Sequence, residues 1–266
     1  MKMKIYFGLL FLATVFSCKN VIKETVNEQV ETTRLEQNKE TVAESVEKTI
    51  ISPIAHASAL LQYKEITLCI DPAENLEAYN NSPDIILITD IHSDHLSIDA
   101  LKILVTPKTK IIAPKAVADK ITEFKTQITI LNNGEKTTIG EIEIEAIPMY
   151  NLREEAQKFH VKGRGNGYLL SINGERIYFS GDTEDIPEMR ALKNIDKAFI
   201  CMNLPYTMTV ESAASAVLEF QPKQVYPYHY RGKPDVSDVA KFKELVNASN
   251  DNIEVIQLDW YPNNDF

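Results

Sequence analysis

An Ile-rich apolar run, residues 85–89, constrains the fold of this chain more than any other stretch. It ends in four closely spaced groups that can bind a metal, Asp90, His92, Asp94 and His95. The run predicts a buried strand, and the polar cluster begins where that strand should end. In extended chain residues i and i+2 point the same way, so Asp90 and His92 would converge on one point, and a turn would aim Asp94 and His95 at a neighbouring one. The spacing predicts two adjacent metal positions.

Length and charge narrow the class of protein. With 44% hydrophobic residues among 266, the chain can bury a full core, and one domain of about 200 residues is expected beyond the N-terminus. The net charge of -10 argues against nucleic acid as a partner, because binding to the phosphate backbone needs a basic surface. An acidic soluble enzyme acting on a small molecule fits this composition better.

The N-terminus has the pattern of an export signal. Lys2 and Lys4 precede an apolar stretch, residues 5–16, that is short for a membrane span. The ending Val15-Phe16-Ser17-Cys18 resembles a bacterial lipobox, although Phe16 is bulkier than usual there. We therefore expect a lipoprotein-type signal peptide at 1–18, export to the bacterial cell envelope and a membrane anchor through a lipid on Cys18. A plain secretory signal or an uncleaved anchor is the alternative.

The rest of the chain divides into a linker and a domain. Residues 19–49 are charged and lack Gly and Pro, which predicts a flexible linker before a domain at 50–266. Within the domain, Cys69 and Cys201 lie in apolar runs, so buried thiols are expected, with a disulfide between them as the alternative in an exported protein.

Alternating strand and helix patterns predict sheets covered by helices. Strands are expected at residues 51–63, 65–71, 84–89, 110–113, 128–131, 168–172, 176–179, 197–202, 224–227 and 253–258, with a hairpin at 136–149. Helices are expected at 97–104, 116–124, 187–192, 210–220 and 236–246. The polar stretch 151–165 is long for a loop in a compact domain, which is typical of functional loops.

The five histidines each fall at or near a predicted strand end or in a loop. They are His56, His92, His95, His160 and His229. A single histidine is more often structural than a ligand, but five arranged around acidic residues indicate a site.

This pattern resembles the metallo-β-lactamase superfamily, whose main motif is His-x-His-x-Asp-His after a buried strand. Residues 90–95 match it except at the first position, and His160, Asp182 and His229 follow in the superfamily's order. The resemblance covers about residue 51 to the C-terminus. It implies an α+β fold, a four-layer αβ/βα sandwich in a single domain. A closer resemblance, to the branch with ascorbate-6-phosphate lactonase, is carried by residues 54–58, 70–72, 159–168, 177–183 and 226–230.

The resemblance also implies a ligand set. His92 and His160 would bind one metal, with Asp90 standing where the superfamily has its first histidine. The second metal would be bound by Asp94, His95 and His229, and Asp182 would bridge both. Two divalent ions, zinc first, are expected. The carboxylate of Asp90 shifts preference toward manganese or iron, or else weakens the first site so that one metal works.

Asn151 is an alternative to His160 as the metal ligand that follows the main motif, because it falls where some members of the superfamily place that histidine. Asn is a poor zinc ligand, so His160 is the expected one.

The implied reaction is metal-dependent hydrolysis, in which a metal-activated hydroxide attacks a small ester, lactone or phosphodiester. Asp94 and His56 are the predicted catalytic residues. Asp94 would hold metal and nucleophile and act as general base, while His56 would contact substrate or donate a proton, with a structural role as the alternative. Asp71 is expected to fix a ligand imidazole.

Pocket residues are harder to predict. Lys162 and Arg164 would grip an anionic group of the substrate, or else simply solvate a loop. Four further residues are candidates for the pocket wall: Tyr206, Tyr228, Tyr230 and Arg231. For Tyr228, packing in the core is the alternative.

Two other functions remain open from the sequence. One is an iron-containing redox enzyme of the same fold, and the other is a non-catalytic metal-binding protein with a degenerate site at Asp90. The identity and amount of metal in the purified protein would distinguish these two functions from hydrolysis.

Overall fold

A computed structural model of the chain describes residues 48–262. The predicted signal peptide at 1–18 and residues 19–47 of the predicted linker lie outside the described residues. Between residues 48 and 262, no helix has both the length and the apolar character needed to cross a membrane.

Thirteen strands and five α-helices form within residues 48–262. The strands, β1 to β13 in order, are Ile50–Ala55, Ser58–Tyr63, Ile66–Ile70, Ile85–Leu87, Lys110–Ala113, Ile128–Ile130, Lys136–Ile139, Ile142–Met149, Gly165–Ile172, Glu175–Phe179, Lys197–Cys201, Gln224–Tyr228 and Glu254–Val255. The helices, α1 to α5, are Ile98–Leu104, Lys115–Ala118, Pro187–Arg190, Val210–Phe220 and Val239–Ser249.

The strands make two mixed sheets. Sheet 1 has the order β1-β2-β3-β4-β5-β6, and sheet 2 has the order β13-β12-β11-β10-β9-β8-β7. In sheet 1 the pairs from β3 onward are parallel, and in sheet 2 the pairs from β10 to β13 are parallel. Each sheet therefore has a parallel half whose strand ends meet at one edge.

The alternation of side chains along β4 shows how the layers stack. Ile85 and Leu87 belong to the core cluster that joins both sheets. Ile86, between them, belongs to the cluster packed against α1 and α2. Because successive side chains of a strand point to opposite faces, one face of sheet 1 meets sheet 2 and the other meets helices.

The outer face of sheet 2 is also covered by helices. Tyr178 of β10 packs edge-on against Phe220 of α4, with ring centroids 6.4 Å apart. The order helix, sheet, sheet, helix is the four-layer α+β sandwich that the sequence resemblance implied, and that prediction is confirmed.

Several predicted elements differ from the observed ones, and the strand expected at 253–258 is reduced to Glu254–Val255. The expected strand at 51–63 is a hairpin of β1 and β2, because the backbone turns at His56 with φ 53. The expected helix at 116–124 ends at Ala118. The last helix begins at Val239 because the side chain of Asp238 accepts a hydrogen bond from the backbone N–H of Lys241. The spacing of apolar residues does not change at these boundaries, so it could not predict them.

Candidate metal centre

Four acidic and histidine side chains lie just past the ends of parallel strands. Asp71 follows β3, Asp90 lies three residues after β4, Asp182 three residues after β10, and His229 follows β12 directly. Carboxyl ends of parallel strands are where ligand sites form in mixed sheets. The topology therefore brings these groups to one edge of the sandwich.

Three of the residues around this edge adopt a left-handed backbone conformation. The φ angles are 53 for His56, 45 for Asp71 and 46 for His229. Such angles cost about 1–3 kcal/mol each in non-glycine residues and persist only where the surroundings enforce them. The backbone N–H of His229 donates to the carbonyl of His56 at 3.2 Å, and that of Asp71 donates to Leu87 at 2.9 Å.

The tightest convergence involves His95, Asp182 and His229. Nε2 of His229 lies 3.2 Å from Nε2 of His95 and 3.0 Å from Oδ1 of Asp182. Nε2 of His95 lies 3.3 Å from Oδ2 of Asp182. Ligand atoms bonded at about 2.0–2.2 Å to one tetrahedral ion have similar mutual separations. These three buried residues therefore have the geometry of a metal site.

The hydrogen-bond pattern supports the same fit. Oδ1 of Asp182 is buried without a hydrogen-bond partner, although an imidazole nitrogen lies 3.0 Å away. A buried carboxylate oxygen without a partner is costly. A cation shared by the two imidazoles and the carboxylate would satisfy that oxygen.

His95 is held from behind by a carboxylate. Its Nδ1 lies 2.8 Å from Oδ2 of Asp71, and Asp71 in turn accepts hydrogen bonds from the backbone and hydroxyl of Thr89, each at 2.7 Å. A proton on Nδ1 leaves the lone pair of Nε2 directed at Asp182 and His229. The expectation that Asp71 fixes a histidine is confirmed, whereas Thr89 carried no signal in the sequence.

His160 lies on the other side of Asp182. Its Nε2 is 3.1 Å from Oδ2 of Asp182 and has no hydrogen-bond partner. Its Nδ1 is 3.1 Å from the carbonyl oxygen of Tyr206. Asn151, the rival ligand, lies behind the ring, where its amide donates to Tyr206 and Ala156. The structure thus favours His160 over Asn151 as the residue that faces the centre.

His56 links the centre to the C-terminal segment. Its Nδ1 lies 2.7 Å from the hydroxyl of Tyr261, and its Nε2 lies 3.3 Å from Oδ2 of Asp94. Burial and the neighbouring His229 lower the pKa of His56 to about 3. The ring is therefore neutral at neutral pH, which argues against the predicted alternative of His56 as a proton-donating imidazolium. Tyr261 was not recognised from the sequence.

Asp90 makes a different set of contacts. Arg164 donates to it from Nε to Oδ1 at 3.0 Å and from a terminal nitrogen to Oδ2 at 2.7 Å. Nδ1 of His92 lies 2.8 Å from Oδ2, and Nε2 of His160 lies 4.0 Å from it. Neither predicted role of Arg164, gripping an anionic group of the substrate or solvating a loop, matches this arrangement, because its guanidinium is bound to a buried carboxylate of the chain.

Lys162 is likewise bound to the chain itself. Its ammonium donates to Glu188 at 2.9 Å and to the hydroxyl of Tyr150 at 3.2 Å. The prediction that Lys162 grips an anionic substrate group has no support from this arrangement.

Two carboxylates that face the centre, Asp182 and Asp94, have lowered pKa values. Burial alone would raise the pKa of Asp182, but His229, His95 and His160 outweigh it and hold the pKa well below its usual value. The pKa of Asp94 is lowered in the same way, burial being opposed chiefly by His95. Metal ligands must be deprotonated to bind, so these acids are in the form that a cation needs.

A cavity of about 650 Å³ opens over the centre. Its wall includes the predicted residues Tyr206 and Arg231. Further lining residues are His56, Glu74, His92, Ser93, Asp94, Phe159, His160, Asp182, Asn203, Gly232, Lys233 and Pro234.

Of the other predicted wall residues, Tyr228 is fully buried and its hydroxyl accepts a hydrogen bond from the backbone of Gly181 at 2.9 Å, so core packing is its role. Tyr230 packs against Tyr261, with ring centroids 4.9 Å apart. The two cysteines, Cys69 and Cys201, are buried free thiols as expected.

Fold and centre together define a metal-dependent hydrolase with the metallo-β-lactamase fold. The sequence profile of the β-lactamase superfamily domain matches residues 51–229. More particularly, the chain belongs to the UPF0173 metal-dependent hydrolase family. It is 33% identical over 191 residues to a member from Thermococcus onnurineus, covering 70% of this chain and 80% of that one.

Two solved structures are similar to this fold. A predicted metal-dependent hydrolase from Parabacteroides distasonis matches with a TM-score of 0.73 at 37% identity, over 80% of this chain and 94% of that chain. The diiron β-hydroxylase CmlA from Streptomyces venezuelae matches with a TM-score of 0.61 at 18% identity, over 80% of this chain and 53% of that chain, and shares the fold alone. The closer resemblance to ascorbate-6-phosphate lactonase stays a prediction.

Proposed function

We propose that this protein hydrolyses a small ester, lactone or phosphodiester, using a divalent metal held by His95, Asp182 and His229. One observation carries the proposal: side-chain atoms of these three residues lie 3.0–3.3 Å apart beneath an open cavity. The names of the UPF0173 relatives support the reaction class, and the substrate class is our inference.

The donor set indicates the metal. Two imidazoles and a carboxylate are a typical zinc set, while additional carboxylates nearby also suit manganese or iron. When bound, such an ion supplies a nucleophilic water at neutral pH and stabilises negative charge developing on the substrate.

Asp94 is the residue to which we assign the role of general base. Its side chain is 33% exposed and lines the cavity, so it can reach both water and substrate. Its lowered pKa keeps it ionised, so it can accept a hydrogen bond from an attacking water and then its proton, although the same shift makes it a weaker base.

His56 positions Asp94. The hydroxyl of Tyr261 accepts a hydrogen bond from the backbone N–H of Arg231 at 3.0 Å and lies 2.7 Å from Nδ1 of His56, and we assign it as the donor to that nitrogen. Nε2 of the neutral ring then carries the remaining proton and donates it to Asp94. This chain of donors fixes the orientation of the carboxylate.

The cavity sets the size of the substrate. A volume of about 650 Å³ is that of pockets for small molecules. Lys233 on its wall favours a substrate that carries an anionic group, whereas the guanidinium of Arg231 on the same wall is paired with Glu74 at 2.8 Å.

The test is a substrate panel with metal quantification. Nitrophenyl esters, lactones and bis-nitrophenyl phosphate are assayed with purified protein whose metal content is measured by mass spectrometry. We expect hydrolysis of at least one class, and its loss by at least 100-fold in His95→Ala and Asp182→Asn. Asp251→Asn changes an exposed carboxylate in the same way and should keep full activity. Full activity in His95→Ala would refute the site assignment.

The substrate panel and the metal content together also test the two alternative functions, a redox enzyme and a non-catalytic metal-binding protein. Iron with visible absorbance and no hydrolysis would favour a redox enzyme, and CmlA shows that the fold can carry a diiron site. Purified protein that binds no metal would favour a non-catalytic role.

A further inference from the structure

The contact between Asp90 and Arg164 is the least expected feature of the centre. Asp90 is fully buried and the Arg164 side chain is 18% exposed. Two parallel N–H···O bonds join them, at 3.0 and 2.7 Å. Bidentate arginine–carboxylate pairs of this kind are strong and geometrically specific.

The loop that carries Arg164 is shaped to deliver it. Gly163 has φ +84, a conformation that favours glycine. A Cβ at Gly165 would lie 2.9 Å from the carbonyl oxygen of Thr89, so only glycine allows this approach. The same carbonyl accepts a hydrogen bond from the backbone of Asn166 at 2.9 Å. The guanidinium also donates to the carbonyl of Phe159, which fixes it from a second side.

Two of the three candidate ligand groups differ in what their atoms already bind: His95, Asp182 and His229 form one, and Asp90, His92 and His160 form the other. In the group His95, Asp182 and His229, a carboxylate oxygen has no hydrogen-bond partner. Asp90, in contrast, receives hydrogen bonds on both oxygens from Arg164, and Nδ1 of His92 lies 2.8 Å from Oδ2. Nε2 of His160, the third member of the second group, also has no hydrogen-bond partner. The carboxylate of the first group nevertheless lacks a cation, whereas the carboxylate of the second is already paired with one.

We propose that the Asp90–Arg164 ion pair takes the place of one metal of a two-metal site. The chain then binds a single divalent ion tightly, at His95, Asp182 and His229, and Arg164 supplies a fixed positive charge beside it. This revises the expectation of two ions and rests on the metal site of the proposed function. If Arg164 merely oriented Asp90 as a ligand, two ions would bind.

Metal stoichiometry tests this without reference to activity. The full chain is stripped with a chelator, titrated with Zn²⁺ in a calorimeter, then desalted and analysed for retained zinc. We expect one retained equivalent in the wild type and in His92→Ala, and none in His95→Ala. Two retained equivalents in the wild type, or loss of the ion in His92→Ala, would overturn the proposal.

A gain of binding gives the second test. The double variant Asp90→His, Arg164→Gln supplies an imidazole at position 90 and removes the guanidinium. We expect it to retain a second equivalent of zinc, while Arg190→Gln, which breaks an ion pair elsewhere on the chain, retains one. If the double variant keeps the circular dichroism of the wild type and still retains one equivalent, the ion pair is not what excludes the second ion.

The outcomes distinguish this proposal from the one on which it rests. Two equivalents in the wild type leave the metal-dependent function intact and remove only the ion-pair proposal. No retained metal in the wild type removes both.

Discussion

At the scale of single residues, the centre depends on which imidazole nitrogens carry protons. Nδ1 of His95 is bound to Asp71, and Nδ1 of His160 faces the carbonyl of Tyr206. In both rings Nε2 is therefore left to face Asp182. A hydrogen bond made behind each ring sets its tautomer and its orientation.

Asp71→Asn tests this support. The amide keeps the shape of the carboxylate but puts an N–H donor in place of one acceptor oxygen, so it cannot accept from both Thr89 and Nδ1 of His95. We expect zinc affinity to fall about 10- to 100-fold, measured by competition with a chromogenic chelator. Asp119→Asn, which alters an exposed carboxylate paired with Lys115, should keep the wild-type affinity. Equal affinities in the two variants would show that Asp71 does not support the metal.

Sequence reasoning reached some of these residues and not others. His92, Asp94 and His95 are close in sequence and follow an obvious strand, so their proximity could be predicted. Arg164 and Tyr261 lie 74 and 205 positions from their partners. No pattern in residue types shows which carboxylate a distant arginine will meet, and the position of Arg164 in a polar loop therefore predicted a substrate contact or a solvated side chain instead of the pair with Asp90.

At the scale of elements, glycine sets how closely β9 and β10 approach near the centre. A Cβ at Gly167 in β9 would lie 2.8 Å from the carbonyl of Ser180 and 2.9 Å from that of Phe179. Phe179 ends β10, and Ser180 and Gly181 connect it to Asp182. The position of this metal ligand thus depends on a residue without a side chain.

Gly167→Ala is expected to destabilise the fold. The added methyl group must push against backbone carbonyls, which cannot move as a flexible side chain can, and crowding of this kind costs about 1–3 kcal/mol. Denaturation in urea measures the change in the free energy of unfolding. Ser171→Ala, at a half-buried position in the same strand, should change it by less than about 0.5 kcal/mol. An unchanged stability in Gly167→Ala would show that the strands can separate freely here.

Elements were predicted best where burial is uniform. The Ile-rich strand β4 and the hairpin of β9 and β10 follow from apolar runs and an Asn-Gly turn. The hairpin of β1 and β2 did not, because its turn lies at His56 within a continuous apolar run. A left-handed histidine is enforced by tertiary contacts, and such contacts leave no mark on local sequence.

At the scale of the whole molecule, the proposed ligands come from both sheets. His95 lies in the loop after β4 of sheet 1, whereas Asp182 and His229 follow β10 and β12 of sheet 2. A cation at this point joins the two halves of the sandwich. The order of the layers was predicted from the resemblance, since periodicity alone shows buried faces but not which sheets pair across the core.

Removal of metal should therefore lower the melting temperature. A ligand that binds only the folded chain stabilises it by about 2.7 kcal/mol at a free concentration of 100 times its Kd. For a domain of this size that corresponds to about 5–10 °C in Tm. Differential scanning calorimetry with and without EDTA measures the shift, and added zinc should reverse it. His95→Ala should melt at the same temperature with and without EDTA. A similar drop in that variant would mean that the chelator acts elsewhere, and the metal would then not be what joins the sheets at this edge.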